Sequence, residues 1–261
     1  EAIRFGTTGW QLTRTGARVL TKLPARGPWQ TKVIKEIPQL FADLGPTYVK
    51  FGQIIASSPG AFGEPLSREF RTLLDAVPAA DSDAVHELFK EELGDEPQNL
   101  FKEWEETPFA SASIAQVHYA TLHSGEEVVV KIQRPGIRRR VAADLQILKR
   151  FAQLVEVAKL GRRLSAQDVV ADFSDNLAEE LDFRIEAQSM EAWVTHLQAS
   201  PLGKNIKVPD VHWDFTSERV LTMERVAGTR IDDVAAIRKQ GFDGEELVKA
   251  LLFSTFEGGL R

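Results

Sequence analysis

The sequence has no cysteine among its 261 residues, which excludes thiol nucleophiles, cysteine-ligated zinc and iron–sulfur clusters. It also lacks long apolar runs, since stretches such as Val128–Val130 and Leu251–Phe253 fall far short of the roughly 20 residues that a helix needs to cross a bilayer. The first residues contain no apolar stretch typical of a signal peptide. Basic residues do not outnumber acidic ones either, since the formal net charge is −6. This charge argues against a general nucleic-acid binder. These absences predict an intracellular protein without a membrane span in this stretch.

The composition that remains is typical of a globular protein. Hydrophobic residues make up 43% of the chain and charged residues 27%, enough to bury at least one substantial core. The charges are segregated: residues 1–50 carry a net charge of +5 and residues 131–163 one of +8, whereas residues 51–130 carry −11. Such blocks are most often solvated faces, and the alternative interpretation is a basic surface that meets acidic lipid or phosphate.

Hydrophobic periodicity predicts helices before and after a small set of strands. Gly and Pro residues within 1–45 allow only short helices there. A β-hairpin is expected from Ser113 through a turn at Ser124-Gly125 to Val128–Ile132, because the pattern becomes alternating and β-branched. The other expected elements are helices over Thr47–Ala56, Ser67–Val77, Asp81–Leu93, Asp144–Lys159, Ala166–Leu197 and Gly244–Gly258, strands at Val208–Val211 and Val220–Met223, and a short turn over Asn99–Glu105.

Lys131 is the first candidate functional residue. It ends the hydrophobic strand Val128-Val129-Val130 and follows a loop of very small residues, an arrangement similar to the phosphate grip of protein-kinase folds. A phosphate chain needs close backbone approach and one cation at fixed reach, and that cation needs a carboxylate to orient it. The alternative is an ordinary edge-strand lysine whose ammonium extends into water.

Three further segments carry a resemblance to one family. Lys50-Phe51-Gly52-Gln53 is similar to a KxGQ motif, the run from Ala110 to His118 resembles an Ala-rich loop, and the run from Glu180 to Ala187 resembles an ExD helix. In this order, and together with Lys131-Ile132-Gln133-Arg134-Pro135-Gly136, they resemble the UbiB-like atypical kinases, also called aarF-domain-containing kinases. The resemblance covers roughly residues 40–261.

The resemblance implies an α+β fold with a protein-kinase-like amino-terminal lobe, in which a small antiparallel sheet packs with a C-type helix. It implies a helical KxGQ extension over residues 1–107, the lobe over 108–226 with a helical insert at about 138–165, and a hinge with the first part of a second lobe over 227–261. The family's catalytic loop and Asp-Phe-Gly motif would follow Arg261, so this stretch is expected to be inactive alone. Asp172-Phe173-Ser174 and His212-Trp213-Asp214 are similar in letters to those motifs. We reject the first because it lies before the ExD stretch on a predicted helix, and the second because it falls between two predicted strands and no Asn follows it.

The resemblance also implies roles for individual residues. Glu186 would pair with Lys131, and Lys50 and Gln53 would present a cation and an amide to Glu180 and Asp182. The residues expected to meet ATP or ADP are Ala110, Ser111, Ala112, Ser113, Ile114, Lys131, Glu224 and Val226. Mg²⁺ ligands are expected beyond Arg261 and none within the chain. On one continuous helix Glu180 would lie about 200° from Asp182, so both carboxylates could not face one site.

The function that the resemblance implies is an ATPase or atypical kinase that supports isoprenoid-quinone or related lipid metabolism. Its implied partners are a nucleotide, a lipid surface and quinone-biosynthesis proteins, with no nucleic acid, and its implied location is cytoplasmic, peripheral at the inner membrane face. A non-catalytic, nucleotide-gated scaffold for biosynthetic enzymes is the alternative. A small-molecule phosphotransferase is disfavoured, because it has no reason to carry the Lys50–Gln53 motif.

Overall fold

The computed structural model describes residues 29–71, 78–157, 165–198 and 206–259. The helices in these ranges are α1 (Trp29–Leu44), α2 (Pro46–Ser57), α3 (Pro59–Phe62), α4 (Glu64–Phe70), α5 (Ser82–Leu93), α6 (Pro97–Leu100), α7 (Ile137–Val157), α8 (Ala166–Glu180), α9 (Phe183–Gln198), α10 (Val234–Lys239) and α11 (Gly244–Gly259). The strands are β1 (Glu103–Trp104), β2 (Ala110–Ser111), β3 (Ala115–Thr121), β4 (Glu127–Gln133) and β5 (Val220–Glu224).

The chain divides into two compact units whose segments alternate along the sequence. The first unit comprises Glu1–Val85, Pro108–Gln116 and Gln133–Leu181, and the second comprises His86–Thr107, Val117–Ile132 and Asp182–Arg261. The mixture of helices with one small antiparallel sheet confirms the predicted α+β, kinase-like fold class. The boundaries expected near residues 107 and 226 stay a prediction.

The first unit is built from helices around an aromatic cluster. Phe41 on α1 packs edge-on against Phe70, with ring centroids 4.9 Å apart, and Phe51 on α2 lies 5.0 Å from Phe173 on α8. Such contacts contribute about 0.5–1.5 kcal/mol beyond the apolar area that they bury. The first contact holds α1 against α4, and the second holds α2, the helix that carries the KxGQ motif, against α8.

The expectation that residues 1–45 form only short helices is wrong, because α1 runs for 16 residues with Pro38 inside it. Ile34, Ile37, Phe41 and Leu44 recur at helical spacing, and their packing offsets the hydrogen bond that proline removes. The helix expected over Ser67–Val77 ends in α4 at Phe70, and its remainder lies outside the described residues.

The second unit contains most of the sheet, whose strands lie in the order β1-β3-β4-β5, with β2 pairing β3. Strands β4 and β5 are antiparallel, and Lys131 lies opposite Leu221. Because side chains alternate along a strand, Val128, Val130 and Ile132 are fully buried on one face while Lys131 is directed to the other. The predicted hairpin and the predicted strand at Val220–Met223 are therefore confirmed.

Three other expectations for local structure were wrong. The Asn99–Glu105 turn contains the end of α6 and strand β1, and the Val208–Val211 strand is reduced to an isolated bridge between Val211 and Met223. The helix expected over Ala166–Leu197 is interrupted, since α8 ends at Glu180 and α9 begins at Phe183. Within the part of the chain that is described, no helix is long and apolar enough to cross a membrane.

Candidate functional site

Lys131 and Glu186 form an ion pair in the second unit. The Lys131 Nζ atom lies 2.6 Å from Glu186 Oε2 and 4.7 Å from the centre of the Phe183 ring. Strand β4 directs the lysine away from its buried valines, and Glu186 stands in the first turn of α9, where the helix dipole favours a carboxylate. The two side chains remain 25% and 42% exposed. A cation is thus held at fixed reach by a carboxylate and can still meet a ligand.

Lys50 and Glu180 form a second ion pair, which lies in the first unit. The Lys50 Nζ atom is 3.0 Å from Glu180 Oε2, and the side chains are 27% and 41% exposed. Gln53 lies one turn further along α2 and is partly buried. The lysine of the KxGQ motif therefore meets the glutamate of the ExD motif, as the resemblance implied, while a functional role for the pair stays a prediction.

Glu180 and Asp182 do not share one helix, because the helix expected there breaks between α8 and α9. Asp182 precedes α9 and caps it, since its Oδ1 accepts the Arg184 N–H at 3.1 Å. Both of its oxygens also accept the Arg184 guanidinium, at 2.9 and 2.7 Å, and these bonds raise the pKa of Arg184. The expectation that the two carboxylates lie about 200° apart on one helix is therefore wrong, because Glu180 ends α8 and Asp182 precedes α9.

Two side chains of the first unit, one at the end of β4 and one at the start of α7, stabilise the end of α8 at this break. Gln133, which is fully buried, donates its Nε2 hydrogen to the Leu181 carbonyl at 2.6 Å. Arg138 donates to the same carbonyl and to the Gln133 Oε1 atom at 3.1 Å. A carbonyl that accepts two side-chain donors is withdrawn from helical bonding, so the helix ends here.

The Ala-rich loop is a short strand followed by a tight turn. Ala110 and Ser111 form β2, and the Ala112 N–H donates to the Ala115 carbonyl at 2.8 Å. Ser113 and Ile114 are buried. Arg134 donates its Nε hydrogen to the Ala112 carbonyl at 2.9 Å and so fixes the loop from the side.

Glu224 ends the last strand, β5, and Val226 follows it, in the region where the resemblance implied contact with adenine. The Glu224 carboxylate accepts a hydrogen bond from Lys207, which lowers the pKa of Glu224, and Val226 is 52% exposed. A cavity of about 550 Å³ in the second unit is lined by residues between Ala227 and Leu247, and Lys131 and Glu186 do not line it. Its position gives no independent support for the predicted adenine contacts.

A metal site is not evident in the ranges that the structure describes, where no three His, Asp or Glu side chains are grouped to hold an ion. Phe173 of the rejected Asp172-Phe173-Ser174 motif is buried in α8. Asp214 lies in the short 3₁₀ helix Trp213–Phe215. Neither segment contributes a catalytic loop.

Sequence reasoning missed the roles of Gln133, Arg134 and Arg138. All three follow Lys131 within seven positions, and two of them belong to the segment that supported the resemblance. The sequence signal that could have indicated these roles is the polar pair Gln133-Arg134, which directly follows a hydrophobic strand. Buried polar side chains need hydrogen-bond partners, so such a pair predicts contacts with other segments.

A family model described as "ABC1 atypical kinase-like domain" matches residues 72–261, a range that does not include the Lys50–Gln53 motif. The uncharacterized protein Rv0647c of Mycobacterium tuberculosis (strain H37Rv) is 82% identical over 261 residues, which are 100% of this chain and 54% of that protein. The probable protein kinase UbiB of Azotobacter vinelandii is 38% identical over 222 residues, which are 85% of this chain and 41% of that protein.

Among solved structures, the complex of Rv3197 with erythromycin from Mycobacterium tuberculosis is similar, with a TM-score of 0.52 and 25% sequence identity. The match covers 91% of this chain and 54% of that one. The chain spans about half the length of the curated relatives that it matches.

Proposed function

Because the chain belongs to the ABC1 atypical kinase-like family, we propose that the protein binds and hydrolyses Mg-ATP and supports isoprenoid-quinone or related lipid metabolism at a membrane surface. Probable UbiB kinases among the relatives favour quinone metabolism over other lipid pathways. Proteins of quinone biosynthesis are the partners that this function would require.

The Lys131–Glu186 ion pair is the observation that carries the proposal. A partly exposed ammonium 2.6 Å from an orienting carboxylate is suited to the negative charge of nucleotide phosphates. Mg²⁺ would neutralise charge on the transferred phosphate. The residues described here supply no group of ligands for that ion, so we assign it none of them.

The test is a calorimetric titration of ATP into the full-length protein and its Lys131→Ala and Glu186→Gln variants. Loss of one charge-assisted contact costs about 1–3 kcal/mol, which weakens binding roughly 5- to 150-fold. Lys102→Ala is the matched control, since Lys102 is an exposed lysine of the same unit. If the variants of both paired residues bind ATP like the parent, the nucleotide assignment is wrong.

A nucleotide-gated scaffold without catalysis is the alternative function. Measuring ATP turnover separates the two functions: an enzyme hydrolyses ATP in a reaction that Lys131→Ala abolishes. A scaffold binds ATP without turning it over.

Exposed apolar and basic side chains of α7 support membrane association. Phe151 and Leu154 are 64% and 69% exposed, and the exposed residues Arg139, Lys149 and Arg150 lie on the same helix. The acids of the helix are Asp144, which is fully buried, and Glu156, which is exposed near its end and accepts the Ala166 N–H at 3.1 Å. Exposed apolar side chains flanked by a larger number of exposed cations than acids are typical of helices that lie on anionic lipid.

Flotation with phosphatidylglycerol-containing vesicles tests this association. Each cation near an anionic surface contributes about 1 kcal/mol, so binding should decrease with salt and with the double substitution Lys149→Glu and Arg150→Glu. Equal binding to neutral phosphatidylcholine vesicles would contradict the proposed electrostatic contact.

A further inference from the structure

A buried hydrogen bond joins α2 to α7 within the first unit. The Thr47 hydroxyl donates to Asp144 Oδ2 at 2.8 Å, across 97 positions of sequence. Both residues are fully buried, with 0% of their surface exposed. A buried polar group costs free energy when its partner is removed, so this bond strongly favours one placement of α2 against α7.

A second side chain of α7 contacts the chain just before α2. Arg140 donates its Nη2 hydrogen to the Leu44 carbonyl at 3.3 Å, two residues before α2 begins. Arg140 and Asp144 are four positions apart on α7 and therefore share one face. That face holds the chain at Leu44 and again at Thr47, which limits both sliding and rotation of α2.

Lys50 stands three positions after Thr47 on α2, so the two side chains are neighbours on the surface of the helix. The Lys50 Nζ atom lies 3.0 Å from Glu180 Oε2 on α8. Glu180 is the last residue of α8, where the helix dipole disfavours a carboxylate, so an ammonium beside it is favourable. A shift or a rotation of α2 would separate the ammonium from the carboxylate.

The buried bond, and not the ion pair, determines where Lys50 lies. The two side chains of the ion pair are 27% and 41% exposed, and such exposed pairs contribute little to stability. Lysine also has a long flexible stem, which orients a helix poorly. Removing the Thr47 hydroxyl takes a hydrogen bond from a fully buried carboxylate, and that loss costs more than the exposed pair gains.

We propose that Asp144 is a positioning residue of the Lys50–Glu180 ion pair. Acting through Thr47, it fixes α2 so that the ammonium meets the carboxylate. Asp144 is fully buried and acts without touching a ligand. One consequence is that a change at Thr47 alters ATP turnover only through Lys50, and this consequence rests on the proposed function.

The experiment measures how fast an amine-reactive reagent labels Lys50 in the full-length protein, by peptide mass spectrometry at one pH. Thr47→Val keeps the branched shape of the side chain and removes its hydroxyl, whereas Thr47→Ser keeps the hydroxyl. Ser67→Ala is the matched control, because Ser67 is fully buried in the same unit and its Oγ has no hydrogen-bond partner among the described residues. Lys149, an exposed lysine of α7, serves as the internal reference for the reagent.

We expect Thr47→Val to raise the labelling rate of Lys50, relative to Lys149, by about 2- to 10-fold, the factor that corresponds to one net hydrogen bond. Thr47→Ser and Ser67→Ala should keep the parental rate. If Thr47→Val does not fold, Asp144→Asn decides the question. A neutral acceptor binds the Thr47 hydroxyl less strongly than a carboxylate does, so the rate should rise by a smaller factor.

ATP turnover gives a readout that a merely structural role would not move in the same way. Thr47→Val should change turnover in the parent and have no further effect in a Lys50→Met background, because both changes act through one ion pair. Parental labelling of Lys50 in the folded Thr47→Val or Asp144→Asn protein would overturn the inference. So would an equal rise in Ser67→Ala, or effects on turnover that add to those of Lys50→Met.

Failure of the proposed function is distinguishable from failure of this inference. If the parent does not hydrolyse ATP, the proposed function is wrong, while the labelling rates still decide whether Thr47 and Asp144 hold Lys50 in place.

Discussion

Gly45 stands immediately before α2, the helix that carries Lys50, and the Gly45 backbone has a φ of 106°. A side chain at this position would meet Arg140, because an ideal Cβ atom lies 2.1 Å from Arg140 Nη2 and 2.9 Å from its Cζ. Replacing Gly45 with alanine therefore adds backbone strain and also displaces the arginine. Both effects should appear in the free energy of unfolding.

The magnitude follows from these two terms. A non-glycine residue in this backbone region costs about 1–3 kcal/mol. The end of the Arg140 side chain can move away, but it then loses its 3.3 Å hydrogen bond to the Leu44 carbonyl. That loss adds about 0.5–1.5 kcal/mol. Gly63→Ala is the matched control: Gly63 also precedes a helix, its φ is 88°, and its ideal Cβ has Pro65 Cδ as nearest neighbour at 3.9 Å.

Urea unfolding followed by circular dichroism measures the difference. Gly45→Ala should destabilise the protein more than Gly63→Ala, and the excess should disappear when both glycine variants are compared in an Arg140→Ala background. Equal destabilisation by the two glycine substitutions, or an excess that persists without Arg140, would refute the reasoning.

Three other outcomes follow from single side chains. Lys50→Met should change the free energy of unfolding by only about 0–1 kcal/mol, because both partners of its ion pair are partly exposed. A larger loss in urea unfolding would contradict this. Arg219→Met should lower the free energy of unfolding by about 1–3 kcal/mol in urea titrations, because it removes the 2.6 Å partner of Glu92, a side chain only 14% exposed. Burial lowers the pKa of His118 below 6.5, so the folded state favours the neutral ring. Unfolding free energy should therefore be greatest above pH 6.5 and fall as the pH drops through that value toward the folded pKa, and His118→Gln should flatten this dependence.

The sequence by itself determined the family and the fold class. The motif order from Lys50 to Glu186 gave the resemblance to UbiB-like atypical kinases, which the family match and the UbiB relatives confirm. The β-branched run Val128–Ile132 predicted a strand with Lys131 at its end, and β4 forms there but continues for two residues past Lys131, to Gln133. Strand and helix patterns are local, because each depends on residues a few positions apart.

Tertiary structure alone decided where the ExD helix breaks and which side chains hold the Ala-rich loop. The break depends on Gln133 donating to the Leu181 carbonyl, 48 positions away, and periodicity over Ala166–Leu197 contains no information about that donor. The Arg134 grip on Ala112 spans 22 positions. The long α1 likewise depends on packing of Phe41 against Phe70, which overcomes the local effect of Pro38. Contacts between distant residues form only when the chain is folded, so local patterns cannot specify them.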